Sequence, residues 1–177
     1  TSSFSIIRPP GHHAFEKTCS GFCFFNNVAV AAKYLLGKSI VNPVDNSKKE
    51  IKKVAIVDWD VHHGNGTQEI FYEKDDVLFI SLHRYDKAGF YPFKVCANYT
   101  HTGKGDGEGF NVNIPWNTMN KLFKSADSTM VYDEEYLAAF ELIVKPILAE
   151  FQPDFILVSC GFDAAENDPL GKLSVSP

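Results

Sequence analysis

Val54 to Val57 (VAIV) is a continuous apolar run that ends on a carboxylate, Asp58, and the chain then reads Trp59-Asp60-Val61-His62-His63-Gly64-Asn65-Gly66-Thr67. An uninterrupted run of this kind suits a strand covered on both faces, as in a parallel sheet. A carboxylate at its end is costly to bury unless it is paired or bound to a cation. Asp58, Asp60 and His62 are spaced by two, so on an extended segment they point to one side, where oxygens and an imidazole nitrogen can grip one cation. Gly64 and Gly66 then turn the chain into a helix expected to begin near Thr67.

Comparable punctuation recurs along the chain. Phe4 to Arg8 (FSIIR) reads as a short buried strand, and Pro9-Pro10-Gly11 forces a loop that carries His12 and His13. Phe24 to Leu36 has helical spacing and is ended by Gly37. The stretch from Gly37 to Lys53 has loop chemistry. Val77 to Leu82 (VLFISL) is the next strand, and a long Gly-rich, aromatic loop follows from His83 to Gly109. Phe110 to Ile114 alternates as a strand, Asp133 to Glu150 is an amphipathic helix with a kink expected at Pro146, and Phe155 to Ser159 (FILVS) reads as the last buried strand. Strands alternating with helices predict an α/β fold, an open parallel sheet with flanking helices, whose ligands bind beyond the carboxyl ends of the strands. The suspicious polar residues lie at such ends.

The 177 residues suffice for one domain with a core, and no repeat or second domain is visible. The chain starts just before an apparent strand and stops in a loop-like stretch, so a piece of a larger domain is expected. A formal charge of -5 argues against a nucleic-acid surface. Cys19, Cys23, Cys96 and Cys160 form no CxxC pair, which fits a reducing, intracellular setting. No apolar run approaches the roughly 18 residues of a membrane span, and no leader opens the chain.

A His-His pair or an Asp-x-Asp alone is commonplace in loops. Here three strand ends deliver such groups together, which favours one catalytic metal site. Asp60, His62 and Asp163 supply two carboxylates and one imidazole and leave positions open for water and a substrate oxygen, as catalytic zinc requires, although oxygen-rich donors also suit iron(II). Of His12 and His13, one can take a proton from water while its partner stabilises developing charge, and Asp58 can fix the tautomer of one imidazole.

RPPGHHA, GFCFFNN, DWDVHHGNGT, SLHRYD and GFDAAENDPLG, in this order, resemble the zinc-dependent histone deacetylase family, its class II branch more than class I. The resemblance spans nearly the whole chain. It implies an arginase/deacetylase-like open α/β fold incomplete at both ends, with residues 1–177 as the central part of a single catalytic domain. It implies hydrolysis of acetyl-lysine amides in histones or other proteins, with release of acetate. By motif position, Asp60, His62 and Asp163 are implied zinc ligands and His13 the general base. His12 is its electrostatic neighbour, backed by Asp58, and Asn65 backs His13 with an amide rather than a carboxylate. Gly21, Phe22 and Phe90 are implied to shape the acyl-lysine channel, with Leu170 at its mouth, where the polyamine-selective branch carries a glutamate. A potassium ion is implied close behind the zinc, held by main-chain oxygens of Asp58, Asp60, His62 and Leu82 and by the Ser81 hydroxyl. Asp168 is expected to be a loop residue, a cap or turn former.

The family also uses a tyrosine hydroxyl from a Gly-rich motif after the third ligand as an oxyanion donor. None of the seven tyrosines here has that context, so the chain alone is expected to be nearly inactive. A second reading is a catalytically weak acetyl-lysine reader or corepressor scaffold; a dinuclear arginase-like hydrolase lacks ligands for a second metal. The implied partners are acetylated lysine side chains and corepressor proteins, with neither nucleic acid nor membrane, in the nucleus or cytoplasm.

Overall fold

A computed structural model describes residues 2–41, 44–118 and 130–177. Its centre is a sheet of parallel strands in the order β5-β4-β3-β6, where β3 is Val54–Asp58, β4 Val77–Arg84, β5 Asn111–Trp116 and β6 Phe155–Ser159. The flanking helices are α1 (Asn27–Leu35), α2 (Asn65–Phe71), α3 (Asp133–Ala139) and α4 (Lys145–Phe151). No helix among the described residues is long and apolar enough to cross a membrane.

The apolar runs of β3 and β4 are continuous because both faces are covered. Val54, Ile56, Val77 and Phe79 pack with Ala29 and Ala32 of α1 and Phe71 of α2, whereas Ala55, Val57, Leu78, Ile80 and Leu82 pack with Ala139, Val144 and Phe151 on the opposite side. Alternation along each strand thus feeds two cores. Fully burying a side chain such as Phe79 contributes about 1.5–3 kcal/mol. The register sets Asp58 beside Ser81 on one neighbour and Ser159 on the other, so β3 and β6 end level while β4 runs on to Arg84.

Local chemistry sets the helix starts. The Asn26 side chain accepts from the Ala29 N–H at 3.1 Å and caps α1, two residues into the span its apolar spacing predicts. The next helix, α2, starts at Asn65 instead of Thr67, with Gly64 as its N-cap. The long helix predicted from Asp133 is divided. Pro146 has no N–H for the Leu142 carbonyl, and the ladder shifts to a π-helical segment, Phe140–Val144, in which Lys145 N–H bonds to Phe140 O. The expected kink is therefore a widened turn between α3 and α4.

Other expectations change. Phe4 to Arg8 forms no strand and is exposed, with Ile6 at 91%. Its apolar residues pair with no strand edge among the described residues, and composition alone cannot supply one. The strand β6 is half-exposed rather than buried, because among the described residues none covers the outward-facing Ile156 and Val158. The Gly37 to Lys53 stretch carries a small antiparallel hairpin, β1 (Ser39–Val41) with β2 (Lys48–Glu50), and residues 42 and 43 of that stretch lie outside the described residues. The long loop after β4 is organised by short 3₁₀ turns at Asp86–Ala88, Val95–Ala97 and Gly105–Gly107.

Candidate active site

The loop after Pro9-Pro10 brings His12 and His13 over the carboxyl end of β3. The His12 carbonyl accepts from the N–H groups of Gly66 and Thr67, both at 3.1 Å, and Asn26 donates to the Ala14 carbonyl at 3.0 Å. Both histidines are buried, with ring centroids 4.0 Å apart. His12 Nδ1 lies 2.8 Å from Asp58 Oδ2 and its Nε2 3.6 Å from Asp60 Oδ1. His13 Nδ1 lies 2.7 Å from Asn65 Oδ1. An amide oxygen only accepts, so His13 carries its proton on Nδ1 and keeps a lone pair on Nε2.

Two adjacent imidazoles thereby acquire opposite characters. Burial presses His12 down, but the Asp58 carboxylate and then Asp60 outweigh it and raise the group to about 9. Burial lowers His13, the positive His12 beside it lowers it further, and it falls to about 3. Burial also raises Asp58 to about 6 against the pull of His12. The His12–Asp58 pair shares its proton on the imidazole, and His13 is neutral.

Beside them Asp60, His62 and Asp163 offer ligand atoms that all lie within 4.8 Å of one another. His62 Nδ1 is 3.1 Å from Asp60 Oδ1 and 2.9 Å from Asp163 Oδ2. Backbone N–H groups hold the carboxylates: His62 N donates to Asp60 at 2.8 Å, and Val61 N donates to Asp163 at 2.8 Å. Burial would lower His62, yet its bonds to Asp163 and Asp60 hold it up at about 9. Asp60 is pulled below the usual carboxylate range by His12 and His62, although burial opposes this. One imidazole nitrogen and two carboxylates in this arrangement fit a divalent cation with positions left over. Gly161 makes room for the set, since a Cβ there would lie 2.2 Å from Asp60 Oδ2.

The three residues of the Asp58-x-Asp60-x-His62 pattern are therefore not equivalent. The strand ends at Asp58, whose carboxylate is fully buried and turned to His12, while Asp60 and His62 sit in the turn beyond and meet Asp163. Ser81 is fully buried in register with Asp58. Its hydroxyl lies 2.9 Å from His83 Nδ1, and His83 Nε2 donates to the Ala97 carbonyl at 2.8 Å, so the serine proton points at Nδ1 and its lone pairs stay unused by that bond. Leu82 is buried beside it. Asp168 forms the expected turn, accepting from Leu170 N at 2.8 Å and Gly171 N at 2.7 Å.

Of the expected channel residues, Gly21 and Phe90 touch the centre. Gly21 has φ +52° and passes so close to His13 that a Cβ would lie 2.3 Å from Cδ2. The Phe90 ring stacks on His62 with centroids 5.1 Å apart. Phe22 and Leu170 are exposed at the surface, at 84% and 62%. Tyr91 is a site residue that the sequence reading passes over. Its ring stands edge-on to His13 at 4.9 Å and to His62 at 5.8 Å, and its hydroxyl is 3.4 Å from Ser20 Oγ. The adjacent aromatic pair Phe90-Tyr91 was the available signal.

Fold and site together define an open parallel α/β protein with a carboxylate–imidazole cluster that could hold a metal ion and a neutral imidazole beside it, beyond the carboxyl ends of its strands. The histone deacetylase domain model matches residues 1–177, and the chain belongs to that family. Histone deacetylase 5 of Arabidopsis thaliana is 49% identical over 174 residues, 98% of this chain and 24% of the relative. Histone deacetylase 7 of Homo sapiens is 49% identical over 177 residues, 99% of this chain and 17% of the relative. The crystal structure of the HDA15 HD domain matches with a TM-score of 0.78 and 45% identity, covering 96% of this chain and 42% of that one. The relatives are of the class II type, and the chain spans a quarter of their length or less.

Proposed function

We propose that this chain carries the metal-binding and general-base machinery of a zinc-dependent lysine deacetylase, as the central part of one catalytic domain. It would act on acetyl-lysine amides of histones or other proteins in the nucleus or cytoplasm. The observation that carries this reading is the neutral His13, fixed by Asn65 with its Nε2 lone pair free, next to the Asp60–His62–Asp163 cluster. A bound Zn²⁺ supplies Lewis acidity toward an amide carbonyl and water.

The chain's residues account for the rest of the chemistry. His13 Nε2 takes the proton of the attacking water and can pass it to the departing lysine nitrogen. His12, held positive by Asp58, lies 4.0 Å from His13 between ring centroids and counters negative charge developing on the amide oxygen. Tyr91, Phe90 and Gly21 lie against His13 and His62 and would flank an entering acyl-lysine stem. The Ser81 hydroxyl and the main-chain oxygens of Asp58, Asp60, His62 and Leu82 would hold K⁺ behind the centre. Corepressor proteins would be partners of the full-length protein.

The experiment is acetate release from an acetyl-lysine peptide by the full-length protein, before and after metal removal and zinc restoration, together with His13→Ala. Loss on chelation, recovery with zinc and a fall on the order of 10² or more for His13→Ala are expected. Unchanged turnover by His13→Ala would sink the mechanism. Zinc binding and peptide retention without acetate release would replace it with an acetyl-lysine reader.

A further inference from the structure

Arg84 closes β4 and is only 7% exposed, yet it is none of the residues assigned to the reaction above. Its guanidinium is engaged on three sides. Nε donates to Asp86 Oδ2 at 2.6 Å, Nη1 donates to the Gly171 carbonyl at 3.0 Å, and the planar group lies 4.4 Å from the centroid of the Phe90 ring. That ring is also stacked on His62, 5.1 Å between centroids with planes 11° apart. Two groups cannot occupy one face of a ring, so Phe90 is held between the guanidinium and the imidazole. A guanidinium is suited to this because it presents a flat face to an aromatic ring while its edge donates in fixed directions.

Asp86 is itself anchored, accepting from Thr118 N at 2.6 Å and from Thr118 Oγ1 at 3.0 Å. The carboxylate is thus a fixed post to which Arg84 is tied. The Gly171 carbonyl belongs to the turn formed by Asp168, next to Leu170 and joined by a few residues to Asp163. One side chain therefore touches the ring that backs His62 and the segment that follows Asp163.

We propose that Arg84 is a positioning residue for the metal centre, pressing Phe90 onto His62 and pinning the Gly171 carbonyl so that the His62 plane and the Leu170 segment are set together. The proposal rests on the reading of His62 as a metal ligand and goes beyond it. A merely structural Arg84 would neutralise the buried Asp86 and do nothing more.

The test measures Zn²⁺ affinity by chelator competition, with thermal unfolding in parallel, on full-length Arg84→Met, Arg84→Lys, Phe90→Leu and the Arg84→Met/Phe90→Leu double variant. Phe90→Leu leaves the Arg84–Asp86 pair intact, so it reports even if Arg84→Met does not fold. Each single change is expected to weaken Zn²⁺ binding about tenfold, the scale typical of groups that orient a ligand. The double variant should lose about tenfold rather than the roughly hundredfold of independent effects. Arg84→Lys should regain unfolding temperature, because the charge remains, without regaining metal affinity, because the flat face is gone. Multiplying effects, unchanged affinity in Phe90→Leu, or affinity that returns with Arg84→Lys would each overturn the proposal. Zn²⁺ is the only ligand used, so absence of acetate release would overturn the proposed reaction and leave these results standing.

Discussion

His13 Nδ1 stands 2.7 Å from the amide oxygen of Asn65, at the position where its neighbour His12 has the carboxylate of Asp58 at 2.8 Å. The same hydrogen-bond geometry, with and without a negative charge, separates the two imidazoles by several pH units, one held at about 9 and the other at about 3. Burial presses both rings down; at His12 the Asp58 and Asp60 carboxylates outweigh it, whereas at His13 the positive His12 adds to it and the Asn65 amide supplies no opposing charge. Asn65→Asp should therefore raise the His13 value. A base works only when neutral, so the acid limb of the kcat/KM–pH profile of the full-length protein should move to higher pH. A limb that stays in place would show that His13 is not the titrating base.

Removing a carboxylate from the centre should act through metal content. Asp163→Asn keeps shape and, with its amide oxygen accepting from Val61 N, turns an NH₂ group with no lone pair for a cation to where the oxygen now stands 2.9 Å from His62 Nδ1. Zinc per protein after dialysis should fall well below one in this variant and remain near one in Asp168→Asn, whose carboxylate serves the turn at Leu170 and Gly171. Equal zinc content in the two would remove Asp163 from the ligand set.

The parts of this site that were legible beforehand are those in which local chemistry decides placement. Asp58, Asp60 and His62 follow an apolar run whose burial on both faces is dictated by its composition, and Gly161-Phe162-Asp163 follows another strand in the same register. What local pattern could not show was division of labour. Asp58 and Asp60 are equivalent in spacing, and only the turn after β3 sends one to His12 and the other to His62. Phe90 and Tyr91 are likewise neighbours of one chemical type, and the path of the 85–93 loop alone decides which ring stacks on His62 and which stands edge-on to His13. Exposure of Phe4 to Arg8 and of Ile156 was hidden for a related reason, since an apolar run states what could be buried and its neighbours decide whether it is.

Gly21 offers a steric prediction. A methyl group there would meet His13 at Cδ2 and lie 2.8 Å from the Tyr91 hydroxyl, and φ +52° disfavours any side chain. Gly21→Ala should push the base out of line. Displacements near 1 Å can reduce turnover on the order of 10², whereas zinc content should stay near wild type because no ligand lies next to Gly21. Turnover and zinc stoichiometry measured on one preparation test this, and wild-type turnover would show that the loop yields without disturbing His13.

Asp154 carries a prediction remote from the site. It accepts from Lys52 N at 2.8 Å and Lys53 N at 3.0 Å and pairs with Lys49 Nζ at 2.6 Å, fastening β2 and the entry to β3 onto the turn between α4 and β6. The Lys49 ammonium, with the two backbone donors, lowers its value to about 2. An unfolded aspartate titrates near about 3.9, so the folded state favours the charged form. The stabilisation is fully present above that pH and is lost as pH falls from about 4 toward 2. Solvent screening of the exposed Lys49 side chain keeps the effect small, on the scale of an exposed ion pair supported by two backbone bonds. Asp154→Asn should therefore lower the urea midpoint at pH 7, with the difference from wild type narrowing at pH 4 and further at pH 3. A difference that stays constant across this range would mean that the charge of Asp154 contributes nothing and that its hydrogen-bonding shape alone matters.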